Sequence, residues 1–184
     1  MDIKISTKQI LKFLNILAWI IFIGLCVDAG GIFFNSLFIH FVNPNAATQS
    51  WKGVDLSNLY NFDTGHFFVE TTLMSIVMIM KAILFYIIVK VLHYKKLDVS
   101  HPFSTDVRKS IFKLSYIALG IGLFSIWGLG YTKWLVEQGV QMPDIKELRF
   151  GGADVWLFMS VILFVIAQIF KRGIEFQEEN DLTI

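Results

Sequence analysis

Charge is scarce in this 184-residue sequence. Asp, Glu, Lys and Arg together make up 17%, against about a quarter in soluble domains. Cysteine is nearly absent: the single Cys26 lies in an apolar run, so no intramolecular disulfide can form. Catalytic signatures are missing too. There is no Walker-type phosphate loop, Gly-x-Ser-x-Gly elbow, His-Glu-x-x-His helix or Cys-x-x-Cys pair. The expectation is therefore a non-enzymatic chain with no catalytic residues, no metal ligands and no cofactor. Internal repeats, low-complexity segments and soluble domain boundaries are also lacking.

What is present is apolar surface. Hydrophobic residues reach 55%, with 18 Phe, and the mean hydropathy is +0.60. A bilayer core of about 30 Å requires about 20 apolar residues in a helix. Four segments meet that length: about 11–42 (interrupted by Asp28, Gly30 and Gly31), 67–92, 111–136 and 153–170. The fourth is short and nearly uncharged, and its helix is expected to continue on both sides. The fold class is all-α, a polytopic membrane protein built as one four-helix transmembrane bundle over residues 1–184. The first apolar run far exceeds the roughly 7–15 residues of a signal-peptide core and has no small-x-small cleavage site. Leu25 beside Cys26 argues against lipoprotein processing, so the chain reads as mature.

Basic residues orient the bundle. Lys4, Lys8, Lys12, Lys90, Lys95, Lys96, Arg108, Lys109, Lys113, Lys171 and Arg172 fall on one side, and Lys52, Lys133, Lys146 and Arg149 on the other. Both termini are thus expected in the cytoplasm, with a cytoplasmic loop at 93–110, a cytoplasmic tail at 171–184, and outer loops at 43–66 and 137–152. Topology accounts for these basic residues, so direct nucleic-acid binding is not expected. Trp51 and Tyr60 suit the membrane–water interface, and their loop is expected to fold back on the helix ends. Pro102 biases His101 away from helix; Ser104 or Thr105 can cap the next helix, with Asp106 in its first turn.

Four stretches are distinctive together: Lys90-Val-Leu-His with His101-Pro-Phe-Ser, Leu119-Gly-Ile-Gly-Leu-Phe-Ser-Ile-Trp-Gly, Gly151-Gly-Ala-Asp-Val-Trp, and the closing run from Ile169 to Glu-Asn-Asp-Leu-Thr-Ile. With these the chain resembles a bacterial four-helix membrane family designated domain of unknown function 2975. The resemblance covers nearly the whole chain, and the C-terminal motif is its most specific part. Members are commonly encoded beside a small helix-turn-helix regulator of the Cro type. The resemblance therefore implies a bacterial inner-membrane protein working with a DNA-binding partner, and it brings no catalytic residues.

Several residues stand out, each with a plainer alternative. Asp28 and Lys81 lie inside apolar helices, where an ionisable group costs roughly 2.5–3.5 kcal/mol on insertion scales. At about 1.5 Å per residue they sit roughly 22 Å and 16 Å from the inner surface, an offset a lysine can bridge. Either they pair, or Asp28 faces the outer loop while Lys81 snorkels. Asp63, His66, Glu70 and Asp154 gather near the outer helix ends. Capping suits Asp63 and Asp154; a metal or peptide site using His66, His40 and a carboxylate is the sharper reading, with no recognised ligand spacing behind it. Ala118-xxx-Gly122 has the small-xxx-small spacing of close helix packing, within one bundle or in a homo-oligomer. The tail residues Glu175, Glu178, Glu179 and Asp181 make an acidic end that anionic lipid repels; it either docks on a basic partner or merely ends the chain. The leading function is a membrane regulator or sensor holding a helix-turn-helix protein. The alternative is an immunity-type or small-solute transport protein, with Asp28, Glu70 and Lys81 along a path.

Overall fold

The computed structural model describes residues 7–93 and 103–181, with side chains for 9–93 and 103–179. His101, Pro102, the basic residues at 4, 95 and 96, the Asp181 side chain and the last three residues of the C-terminal motif lie outside what is described. All the regular elements among the described residues are helical: α1 (Thr7–Phe41), two 3₁₀ turns (Pro44–Gln49 and Trp51–Gly53), α2 (Ser57–Phe62), α3 (Thr64–His93), α4 (Thr105–Glu137) and α5 (Ala153–Asp181). Four of them, α1, α3, α4 and α5, are long and apolar enough to cross a membrane.

Local chemistry sets the helix starts. Asn43 accepts from the Asn45 amide at 3.2 Å and Pro44 follows it, opening the first 3₁₀ turn. Asp55 accepts from the Ser57 amide at 2.9 Å, and the Ser57 hydroxyl beside it holds its carboxyl below the usual aspartate range. Asp63 accepts from the His66 amide at 2.9 Å at the head of α3. Ser104 caps α4 through the Val107 amide at 3.3 Å, with Asp106 in the first turn. Three helices run a few residues beyond their apolar segments. The fourth extends on one side only, not both: α5 starts at Ala153, after Gly152 on left-handed backbone, and continues to Asp181, so the tail from Lys171 is helix rather than a separate segment.

The long helices pack in chain order: α1 on α3, α3 on α4 and α4 on α5, with no close backbone approach between α1 and α5 among the described residues. The bundle is therefore an open row. Its middle helices bury 44% (α3) and 39% (α4) of their most apolar stretches, whereas α1 buries 6% and α5 17%. Phe13, Phe34, Phe158 and Val161 point outward, which suits lipid tails as well as a core would. Small residues on α4 admit its neighbours. A side chain at Gly120 would overlap Met80 of α3, and one at Gly122 would overlap Leu157 of α5. Ala118 is fully buried, and Ser115 donates to the Ser160 carbonyl at 2.8 Å. The Ala118-xxx-Gly122 spacing is thus used inside the chain.

At the looped end the 43–66 connection folds onto the helices as expected, and the 137–152 connection does so as well. Ile39, Leu56, Leu59, Phe67, Leu148 and Phe150 are fully buried there. Phe150 fills the notch left by Gly128 of α4.

Candidate functional site

Two basic side chains, one from each loop, converge on Asp28 of α1. Lys52 Nζ lies 2.5 Å from Asp28 Oδ1, and Arg149 Nη2 lies 3.7 Å from Asp28 Oδ2. The Trp51 indole N–H donates to Asp28 Oδ1 at 3.3 Å. Gly31, one turn along α1, makes room for that indole: a Cβ at this position would sit within the ring. Ser50 adds a hydrogen bond to Asn35 at 2.9 Å. Both cations sit on left-handed backbone, Lys52 at φ 60° and Arg149 at φ 66°, a conformation costing about 1–2 kcal/mol for a residue with a Cβ. The packed loops hold that strain in order to aim the two side chains at one carboxylate.

Lys81 does not pair with Asp28. Its ammonium donates to the Arg149 carbonyl at 3.0 Å and stands 5.8 Å from the Trp156 ring centroid. The direct Asp28–Lys81 pair is corrected to a relay through one loop residue. Arg149 gives its guanidinium to α1 and its carbonyl to α3, while Phe150 beside it plugs α4. The offset along the helices is met by a loop that folds down, not by a stretched lysine. Beneath Trp51 lies a cavity of about 10 Å³, room for one water, lined in part by Ile32, Ser50, Thr71 and Glu147.

The second cluster sits between α3 and α4. Asp63, His66 and Glu70 share one face of α3 at helical spacing. Asp63 caps the helix; the His66 amide holds its carboxyl below the usual aspartate range. His66 Nδ1 lies 2.5 Å from the Tyr131 hydroxyl, and its ring packs between Phe62 and Trp134. Glu70 is fully buried. Its Oε1 is 2.6 Å from Thr132 Oγ1, and its Oε2 has no hydrogen-bond partner. Asp154 lies in the first turn of α5 and makes no bond to the other three. His40 packs against Phe41 and Phe68, away from His66. The metal grouping of His66, His40 and a carboxylate is therefore not formed, because aromatic contacts claim each imidazole separately. Among the described residues no three His, Cys, Asp or Glu side chains converge as metal ligands.

At the terminal end, Glu175 pairs with Arg172 at 2.9 Å and with Lys171 at 3.9 Å, so part of the tail's negative charge is neutralised within its own helix. Glu178 is exposed, and Glu179 also makes a contact of its own. Phe103 seats in the notch of Gly173 and meets Phe170 edge-on, leaving Phe176 64% exposed beside them.

Sequence reasoning missed Trp51, Lys52 and Arg149 as partners of Asp28, and Thr132 and Tyr131 as partners of Glu70 and His66. The Gly30-Gly31 pair was the available signal for the first group, since paired glycines inside an apolar helix mark a close approach. No comparable signal pointed to Thr132.

No curated protein and no solved structure matches the chain. Residues 42–184 match the model of a family described as "Protein of unknown function (DUF2975)", a stretch that holds Trp51, Lys52, Glu70, Thr132 and Arg149 but not α1 with Asp28. The chain is a multi-pass membrane protein that belongs to that family.

Proposed function

We propose that this protein is a non-enzymatic regulator of the bacterial inner membrane. Its looped end faces outward as the sensing end, and its terminal end faces the cytoplasm and holds a helix-turn-helix regulator. The observation that carries this reading is the length of α5. Its 29 residues span about 43 Å at about 1.5 Å per residue, well beyond a hydrocarbon core of about 30 Å. Residues 171–181 therefore project past the Lys171–Arg172 interface pair, carrying exposed Phe176 and the glutamates. An exposed apolar side chain on a helix end that also carries Glu178 and Glu179 suits a basic protein surface better than anionic lipid.

Sensing is assigned to the Asp28 clamp because it joins both loops to α1 and α3 through strained cations. A ligand that competes for Asp28 or displaces Trp51 would separate those elements. Holding the regulator at the membrane would lower its free concentration by mass action. The test is co-purification of the full chain with the helix-turn-helix protein encoded beside it, with and without residues 173–184. Retention by the full chain and loss on truncation is expected; absence of binding by the full chain refutes the reading.

A further inference from the structure

The contacts of Glu70 contain a proton-counting problem that the clamp does not involve. Thr132 Oγ1 lies 2.6 Å from Glu70 Oε1 and 2.9 Å from the Gly128 carbonyl oxygen. A hydroxyl has one hydrogen and can donate it once. Were Glu70 a carboxylate, Thr132 would donate to it and would then face the Gly128 carbonyl oxygen with no hydrogen between the two. Were Thr132 to serve Gly128, it would face a carboxylate with none. Both contacts are satisfied together when Glu70 supplies a hydrogen of its own: Oε1–H donates to Thr132 Oγ1, and Thr132 donates to Gly128. A distance of 2.6 Å is normal for such an O–H···O bond.

The second oxygen agrees. Oε2 is buried with no partner, and no Lys or Arg of the described residues lies within ion-pairing distance of Glu70. A bare carboxylate oxygen in that position is far more expensive than the carbonyl oxygen of a neutral acid. The titratable groups around it are His66 and Asp63 toward the looped end of α3 and Tyr131 on α4. Tyr60 of α2 packs on Phe67, and His40 of α1 packs on Phe68. None of these is a fixed positive charge that would replace the missing partner.

We propose that Glu70 is a proton-binding site, occupied in this conformation. On release the hydrogen leaves Oε1 for water admitted beside it. The carboxylate left behind then accepts a hydrogen bond from the Thr132 hydroxyl, and Gly128 gives up its side-chain bond while its helical bond remains. No other group changes its proton count. The site differs from the Asp28 clamp in location and ligand, and it stands whether or not a helix-turn-helix protein binds.

Difference infrared spectroscopy of the full chain in phosphatidylcholine vesicles tests this. Wild type minus Glu70→Gln is expected to show a carboxylic-acid C=O band near neutral pH that is lost in strong alkali. Thr132→Val keeps Glu70 and should shift that band in frequency without abolishing it, which provides a readout if Glu70→Gln fails to fold. Glu70→Gln can donate and accept as the neutral acid does, so retention of the folded chain near neutral pH is expected as well. A carboxylate band assigned to Glu70 near neutral pH overturns the proposal. Replacement of the acid band by a carboxylate band on adding sodium, potassium or calcium overturns it too, since a metal cation would then be the ligand.

Discussion

Substituting Gly31 by alanine tests the clamp with a built-in control. The new Cβ would occupy the indole of Trp51, so the ring must leave its seat and its N–H must leave Asp28. Overpacking of this kind costs about 1–3 kcal/mol. A hydrogen bond to a charged group contributes about 1.5–3 kcal/mol, and the lower end applies because Asp28 keeps Lys52 and is itself 15% exposed. Together the closed loop should lose about 2.5–4.5 kcal/mol, which is roughly 60- to 1,600-fold in its closed-to-open ratio. Gly30→Ala is the control, because a Cβ there meets nothing within 4 Å. Both changes improve helix propensity equally, so any difference between them comes from the Trp51 seat. The assay is maleimide labelling of an Ile32→Cys thiol beneath Trp51, in a Cys26→Ser background. Ile32 is 4% exposed, so labelling reports loop opening. Gly31→Ala should accelerate labelling by that factor and Gly30→Ala should not. Equal rates in the two variants refute the seating of Trp51 on α1.

Gly122→Leu forces Leu157 away from α4 and should separate α5 from the row, read as lower thermal stability in detergent by about 1–3 kcal/mol. Ser104→Ala removes the cap of α4 and should cost about 1 kcal/mol, visible as faster amide exchange at Val107. The Asp63 carboxyl is held below its ordinary value of 3.8 by the His66 amide, so its contribution is present above that value and is lost as pH falls through the lower folded one. Amide exchange at His66, corrected for intrinsic pH dependence, should quicken only in that acid window, and Asp63→Ala should abolish the dependence.

The four membrane helices were legible because an apolar stretch of bilayer length has few alternatives. Their ends were legible where caps were present, as at Asp63 and Ser104. The row arrangement was not, since chain order does not say whether α1 meets α5. The helical continuation through Lys171 to Asp181 was only partly visible: hydropathy ends at the interface, but the Glu175 pairs with Lys171 and Arg172 support helix beyond it. Asp28 and Lys81 were identified as intramembrane charges, yet their partners came from loops, whose three-dimensional path has no period to read. Lys52 and Arg149 adopt left-handed backbone, which favours glycine, so local propensity gave no hint that these positions would aim at one carboxylate. Glu70 was found by its charge, whereas Thr132 is a common residue in an apolar helix.

The coupling between the looped end and the terminal end is tested most directly by the affinity of the helix-turn-helix protein for the full chain in vesicles, compared between Gly31→Ala and Gly30→Ala. Opening the clamp should weaken binding at least about fivefold, the low end of ordinary allosteric coupling, while Gly30→Ala binds as wild type does. Identical affinities in the two variants would contradict a regulator whose outer clamp governs its cytoplasmic face.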